Sequence, residues 1–379
     1  MSIILFIHRS RGGFYIMSKK AYLMDRPQDY KKLSINPDKV EIWEDGRRSR
    51  SSANHWEWWY FDAIMDDGTT VIIQFFAKPT IDARKKKDVP TINFQITLPD
   101  GKHETRELKF TTDESTFSNE KCDLHFGKNY FTGDLKHYDI HVETIDEMSA
   151  DLSVESLSTP FRPGTAYFDF SGDGSKYYTW LCCMPKGEVT GTITVAGKEI
   201  SVHGYGYHDH QWGNFTYALA WNHWTWARQR FDDYTLILFD MTASKPYGAV
   251  RYPICYLEDK NGNIVFSNQD NHHCEINVLE EYTDHTTGKV YPKKTEYIFQ
   301  SKDKKLVYVL ESKKIIDAPD IAKRTGFLLN FLLGLKGLKP SYARYIADGS
   351  MNFTIDGHEI SRSESLIYEF MYPGKTYKL

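Results

Sequence analysis

The chain has 379 residues, 41% of them hydrophobic and 26% charged, with a net charge of −4. That length suits two domains of roughly 150–200 residues, and the charge balance leaves no basic stripe for nucleic acid. Aromatic residues make up 15%, including 25 Tyr, 22 Phe and 9 Trp, a bias that fits half-buried pleated strands.

Taken in chain order, the apolar run Ile3–Ile7 is too short for a signal h-region, and no stretch reaches the ~20 apolar residues of a membrane-spanning helix. Arg11-Gly12-Gly13 precedes Met17 and is readable as a translated ribosome-binding sequence, so Met17 is the expected natural start. Residues 1–39 are read as an N-terminal extension, of which 1–16 are outside the native bacterial protein. Strands and turns then alternate. Trp58–Met65 and Thr69–Ala77 flank the turn Asp66-Asp67-Gly68, and Thr91–Leu98 and Glu104–Phe110 flank Pro99-Asp100-Gly101. Further strands are expected at Asn129–Leu135, Tyr138–Thr144, Ser149–Ser156 and Val189–Val195. The last of these turns through Ala196-Gly197-Lys198 into Glu199–His203.

The second half repeats the rhythm with Trp221–Phe231, Tyr234–Thr242, Cys255–Asp259, Ile264–Ser267, Glu275–Glu281, Glu296–Ser301, Leu306–Lys313, Ser350–Ile355 and Ser365–Tyr372. Many short strands at this spacing indicate an all-β barrel or sandwich. Asp317–Lys336 breaks the pattern and reads as a short amphipathic helix covering a barrel mouth; a pocket lid or a weak membrane-surface contact is the sharper alternative. The five cysteines, Cys122, Cys182, Cys183, Cys255 and Cys274, form no CxxC pair. An odd, scattered set implies reduced thiols in a cytoplasm.

Three aromatic-rich segments carry the candidate chemistry. In His55–Asp62, Glu57 and Trp59 share one strand face with His55 and Phe61. A buried Glu57 needs a partner, and a core strand with that carboxylate satisfied by an Arg, His or amide is the stronger reading. In Gly204–Gly213, His208, His210 and Trp212 share one face and Tyr207, Asp209 and Gln211 the other. Two His at i, i+2 invite zinc, but no third ligand has recognisable spacing, so no metal is expected. An Asp orienting the His rings is at least as good a reading. In the third segment, Trp221–Arg228 pairs with Leu236–Met241, and Asp240 shares a face with Leu236 and Leu238. Either that carboxyl is desolvated and serves as an acid, or it pairs with Arg228, Arg230 or Arg251. No GxGxxG, P-loop, HExxH or GxSxG motif is present, which removes the usual supports for nucleotide, zinc-protease and serine-hydrolase chemistry.

HWEWWYFD, VTGTITVAGKEISVHGYGYHDHQWGN and WTWARQRFDDYTLILFDMT resemble the lipocalin-like carotenoid hydratase (hydroxyneurosporene synthase) superfamily, which also includes kievitone hydratase and decalin-forming Diels–Alderases. Ala347–Met351 and a closing strand with Tyr368 and Glu369 fit the same pattern. The resemblance implies two tandem antiparallel lipocalin-like (calycin) β-barrels, at 40–208 and 209–379, with the short helical insertion in the second. It also implies a catalytic set of Asp240, His210 and Trp212. The hydratase pattern has a Tyr two positions before the Asp, where this chain has Leu238. The expected substrate contacts are Trp59, Glu57, Tyr207, Trp224, Trp226 and Leu238.

The function expected on this basis is a cofactor-independent hydratase, or reverse dehydratase, of an isoprenoid or terpenoid alkene: Asp240 protonates the double bond, tryptophans face the cation and His210 positions water. A pericyclase, cyclase or isomerase of a polyene and a non-catalytic carrier of an apolar ligand are the alternatives. The expected partner is an apolar small molecule.

Overall fold

The computed structural model describes residues 20–285, 287–317 and 340–376, and most of them lie in two curled antiparallel sheets. The main path of the first sheet runs His103–Lys109, Thr91–Thr97, Thr70–Lys78, Trp56–Met65, Lys198–Gly213, Leu181–Val195, Met148–Ser156, His137–Ile145, Asn129–Gly133, Cys122–Phe126 and Ser115–Phe117. The second runs Ile264–Asn268, Arg251–Asp259, Tyr234–Ala243, Trp221–Arg230, His358–Tyr372, Ser341–Ile355, Lys304–Asp317, Val290–Ser301 and Cys274–Thr283.

Each sheet curls because alternate residues of every strand share one apolar face and bury it together. In the first sheet that face includes Trp59, Phe61, Val71, Ile73, Phe94, Phe126, Phe131 and Ile140, all in one core. Residues from opposite ends of the sheet meet across it, as Phe75 and Phe126 do at 5.2 Å between ring centroids. The second interior is built the same way, with Phe266 from one end against Phe299 from the other at 6.1 Å. The result is two tandem lipocalin-like barrels.

A third core lies between the barrels, where their outer faces meet. Trp56, Phe168, Phe170, Tyr178, Trp180 and Tyr207 pack there against Trp221, Phe239, Met241, Tyr252 and Tyr256. Edge-to-face pairs such as Trp180–Phe239 at 4.9 Å and Phe168–Trp221 at 5.2 Å each add about 0.5–1.5 kcal/mol beyond area burial. The barrels therefore share an aromatic seam.

Several strands extend past their expected bounds. Glu199–His203 is the start of Lys198–Gly213, and Ser350–Ile355 is the end of Ser341–Ile355. The 208/209 boundary expected between barrels falls inside Lys198–Gly213, a strand whose Gly204–Gly213 stretch pairs with Trp56–Met65. The second sheet begins only at Trp221. Ser115–Phe117, Cys122–Phe126 and the helix Pro27–Leu33 had no signal in the sequence reading. The expected helix over 317–336 lies outside the described residues except for Asp317, which ends a strand. No helix among the described residues is long and apolar enough to cross a membrane.

The single turn Ile42–Asp45 enters the first barrel and anchors there. The Asp45 carboxylate accepts from His208 Nε2 at 3.1 Å and Tyr138 Oη at 2.9 Å, and its carbonyl accepts from Trp59 Nε1 at 2.8 Å. His208 Nδ1 donates to the Tyr60 carbonyl at 2.8 Å. Burial pushes Asp45 up, but the His208 cation outweighs it and holds the carboxyl below its ordinary 3.8. Burial likewise opposes the charge on His208, and Asp45 overcomes it, raising the imidazole above 6.5. The pair's contribution is therefore complete between those two unfolded-state values; it is lost as pH falls through the folded Asp45 value or rises through the folded His208 value. Asp45→Ala leaves a buried cation unpaired and is expected to cost about 3–5 kcal/mol in urea unfolding at pH 6. A loss under about 1 kcal/mol would contradict this role.

Candidate functional site

The seam between the barrels is not filled along its whole length. A cleft of about 460 Å³ opens between the outer faces of the sheets, walled by Trp58, Tyr60, Phe76, Tyr178, Trp224, Trp226, Phe239 and Met371. Asp82, Glu107 and Lys109 also border it, while Asp209 and Gln211 are the polar groups contributed by Lys198–Gly213. Strand parity puts them there. Trp58 and Tyr60 alternate with Trp59 and Phe61, which point into the first barrel; Trp224 and Trp226 alternate with Thr225 and Ala227.

Asp209 is only 4% exposed and borders the cleft beside Gln211. Its carboxylate accepts from Tyr207 Oη at 2.9 Å, Trp180 Nε1 at 3.2 Å and Gln211 Nε2 at 3.1 Å. Tyr178 Oη in turn donates to Gln211 Oε1 at 2.6 Å, which fixes the amide's orientation. None of these partners is a cation. Burial therefore dominates, and although the donors and the charge of His208 pull the other way, the Asp209 carboxyl is pushed up to about 6. Near neutrality it exchanges between acid and base, inside an aromatic cleft, which is the condition for moving a proton to or from an apolar ligand.

Of the residues expected to act together, His210 and Trp212 meet in the first barrel, while Asp240 lies in the second. His210, Trp212, Glu57 and Trp59 lie on the inner face of the first sheet. His210 Nε2 donates to Glu57 at 2.9 Å, its ring stacks on Trp59 at 4.4 Å and Trp212 lies 4.6 Å away. Burial pushes Glu57 up, but His210 and the amides of Ser49 and Arg48 hold it below the usual carboxylate value.

Asp240 and Leu238 face the interior of the second barrel. Asp240 is gripped by Arg251, with Nε at 2.9 Å and Nη2 at 2.5 Å, and Tyr297 Oη donates at 3.1 Å. The reading of Asp240 as a desolvated acid is corrected to the ion-pair alternative, because Arg251 lies on the neighbouring strand. Of the expected contacts, Trp224 and Trp226 line the cleft and Tyr207 supports Asp209 from behind. The sequence pattern casts Asp209 as a residue orienting the His rings, whereas the structure turns it away from them to the cleft. Its signal was present in the parity of Tyr207, Asp209 and Gln211 against His208 and His210, but nothing local says which face meets a ligand.

Among the described residues, one group has metal-ligand character: Asp45, Cys122 and His208 offer donor atoms within 4.8 Å of one another. Both His208 nitrogens face oxygen acceptors and Asp45 is bonded to His208, so ligation requires that ion pair to break.

The profile of the Diels-Alderase-like family matches residues 39–315. The chain belongs to that family. Its fold is similar to those of a protein assigned as AttH in Nitrosomonas europaea (TM-score 0.56, 14% identity, 90% of this chain and 98% of that one) and of CghA bound to Sch210972 (0.55, 12%, 89% and 96%). Kievitone hydratase from Nectria haematococca is similar at 0.50 and 12%, over 88% and 96% of the two chains. No curated protein sequence matches.

In this Diels-Alderase-like protein the state of Asp209 has a thermodynamic signature. Between pH 3.8 and about 6 the folded chain binds more protons at Asp209 than the unfolded chain does, so its contribution to stability falls as pH rises through that window, by up to about 1.4 kcal/mol per unit. Asp209→Asn is expected to remove that slope from chemical unfolding measured between pH 4 and 7 and to leave the variant folded. An unchanged slope would assign the proton elsewhere.

Proposed function

We propose that this protein is an enzyme that transforms an apolar unsaturated small molecule in the cleft between its barrels, with Asp209 as the proton donor. The observation that carries the reading is a buried carboxyl, pushed up to about 6, in a cleft that Trp58, Tyr60, Trp224, Trp226 and Phe239 also line. Membership of the Diels-Alderase-like family and a fold shared with kievitone hydratase support an enzyme rather than a carrier.

The chemistry favoured is hydration of a carbon–carbon double bond, or its reverse. The Asp209 proton passes to one alkene carbon and the π electrons form the new C–H bond, leaving a cation on the other carbon. The faces of Trp58, Trp224 and Trp226 stabilise that cation by about 0.5–2 kcal/mol each. Water attacks it, and the proton lost from the water oxygen returns to the Asp209 carboxylate. Atoms and charge balance, and the acid is restored.

The family match favours a second reading of the same cleft, a pericyclic ring closure. There the protonated Asp209 and the Gln211 amide hydrogen-bond a substrate carbonyl, while the rings hold a folded polyene near its reactive conformer.

Asp209→Asn is expected to lower turnover by about 10²–10⁴-fold with the fold intact, and wild-type turnover to decline above about pH 6 as the acid ionises. Purified protein incubated in oxygen-18 water with acyclic isoprenoid alcohols and polyenes separates the readings by mass spectrometry. Gain of one labelled water establishes hydration, whereas an isomer of unchanged mass establishes cyclisation. Full activity in Asp209→Asn would overturn both.

A further inference from the structure

The cleft does not end at the aromatic chamber. A second chamber of about 530 Å³ continues it, sharing Tyr60, Trp226 and Glu369 as the common wall. The strands carry the change in character stepwise. Along Trp221–Arg230 the cleft-facing positions read Trp224, Trp226, Arg228 and Arg230, and along Lys198–Gly213 Asp209 gives way to Tyr205. An aromatic passage thus opens into one lined by four cations and four carboxylates.

Four cations border the second chamber, and two of them are neutralised. Arg228 pairs with Asp62, and Arg344 lies 3.5 Å from Glu369. Lys186 and Arg230 make no ion pair among the described residues, and both sit over the Tyr205 ring, Arg230 at 3.9 Å and Lys186 at 5.4 Å. Asp232 and Glu364, the remaining carboxylates of the chamber, are exposed, as is Arg230, while Lys186 is half-buried. Burial and then Arg230 pull the Lys186 ammonium below its ordinary range against the charge of Glu258; burial and Arg228 do the same to Arg230 against Tyr205 and Asp66. Arg228 Nη1 is buried without a hydrogen-bond acceptor, and Arg344 Nε has the Glu369 carboxylate no nearer than 3.5 Å. Half-desolvated cations crowded together with unused donors are stabilised by an incoming anion, and a guanidinium fork suits a planar oxyanion best.

We propose that this chamber seats the anionic head, a carboxylate or comparable planar oxyanion, of the molecule whose apolar chain occupies the aromatic chamber. The inference rests on the proposed function and narrows its substrate to an amphipathic acid. Tyr205 lies four positions before Asp209 on the strand, so the head lies ~13 Å along the strand from the proton donor.

Parinaric acid, a conjugated tetraene carboxylate, and its methyl ester are suitable probes, with binding read by energy transfer from tryptophan at pH 7.5. The acid is expected to bind at least about tenfold more tightly than the ester. Arg230→Gln is expected to bring the acid down to the ester's affinity and leave the ester unchanged; Arg230 is an exposed strand-end residue with no ion pair, so this variant is expected to fold. Equal binding of acid and ester, or an equal loss of both in Arg230→Gln, would overturn the anionic-head inference and leave the apolar cleft standing. Binding of neither probe would overturn the apolar-chain reading and this inference with it.

Discussion

The strand Lys198–Gly213 has two faces, and both bury polar groups. Its inner face sends His208 and His210 into the first barrel, and its outer face sends Tyr207, Asp209 and Gln211 to the seam between barrels. The period-two alternation of an extended chain allows no other division. Trp56–Met65 repeats it in register, with Asp209 opposite Tyr60 and His210 opposite Trp59. Because these two strands form one wall of the cleft and one side of the first barrel at once, the stability of that barrel and the geometry of the site rest on the same hydrogen-bonded pair.

Three buried carboxylates on or near this wall show how environment separates structural groups from chemical ones. Taking a carboxylate out of water is unfavourable unless a counter-charge or several donors offset it. Asp45 and Glu57 each meet a histidine, and both are held below their ordinary values. Asp209 meets three neutral donors and borders the cleft, and it is held above its ordinary value. The first two are locked, while the third keeps an exchangeable proton. The second chamber shows the complementary imbalance, with Lys186 and Arg230 lacking, among the described residues, the ion pairs that Arg228 and Arg344 have.

Much of the fold was legible because hairpin chemistry is local. Ala196 and Gly197 both take positive φ, as the tight turn at Ala196-Gly197-Lys198 demands, and the strands flanking the other turns fall close to where alternation places them. The family was legible too, through the GYHDHQWG block. The site was not, for two physical reasons. Alternation divides residues into two faces but does not say which one meets a ligand, so His210 and Trp212 were grouped with the chemistry and Asp209 with support. The decisive partners are also remote in sequence: Asp45 reaches His208 across 163 positions, and the Asp62–Arg228 bridge spans 166. Asp240 was read as either acid or ion pair, and only the register of its strand against Arg251–Asp259 chooses the pair.

The account turns on one proton. Titration of the protein with carboxyl-carbon-13 aspartate, followed by NMR and assigned by comparison with Asp209→Asn, measures it directly. The account predicts a single carboxyl resonance that titrates with a midpoint near 6 and is missing from the variant. An Asp209 resonance already ionised at pH 4 would contradict the assignment of this residue as the acid of the cleft.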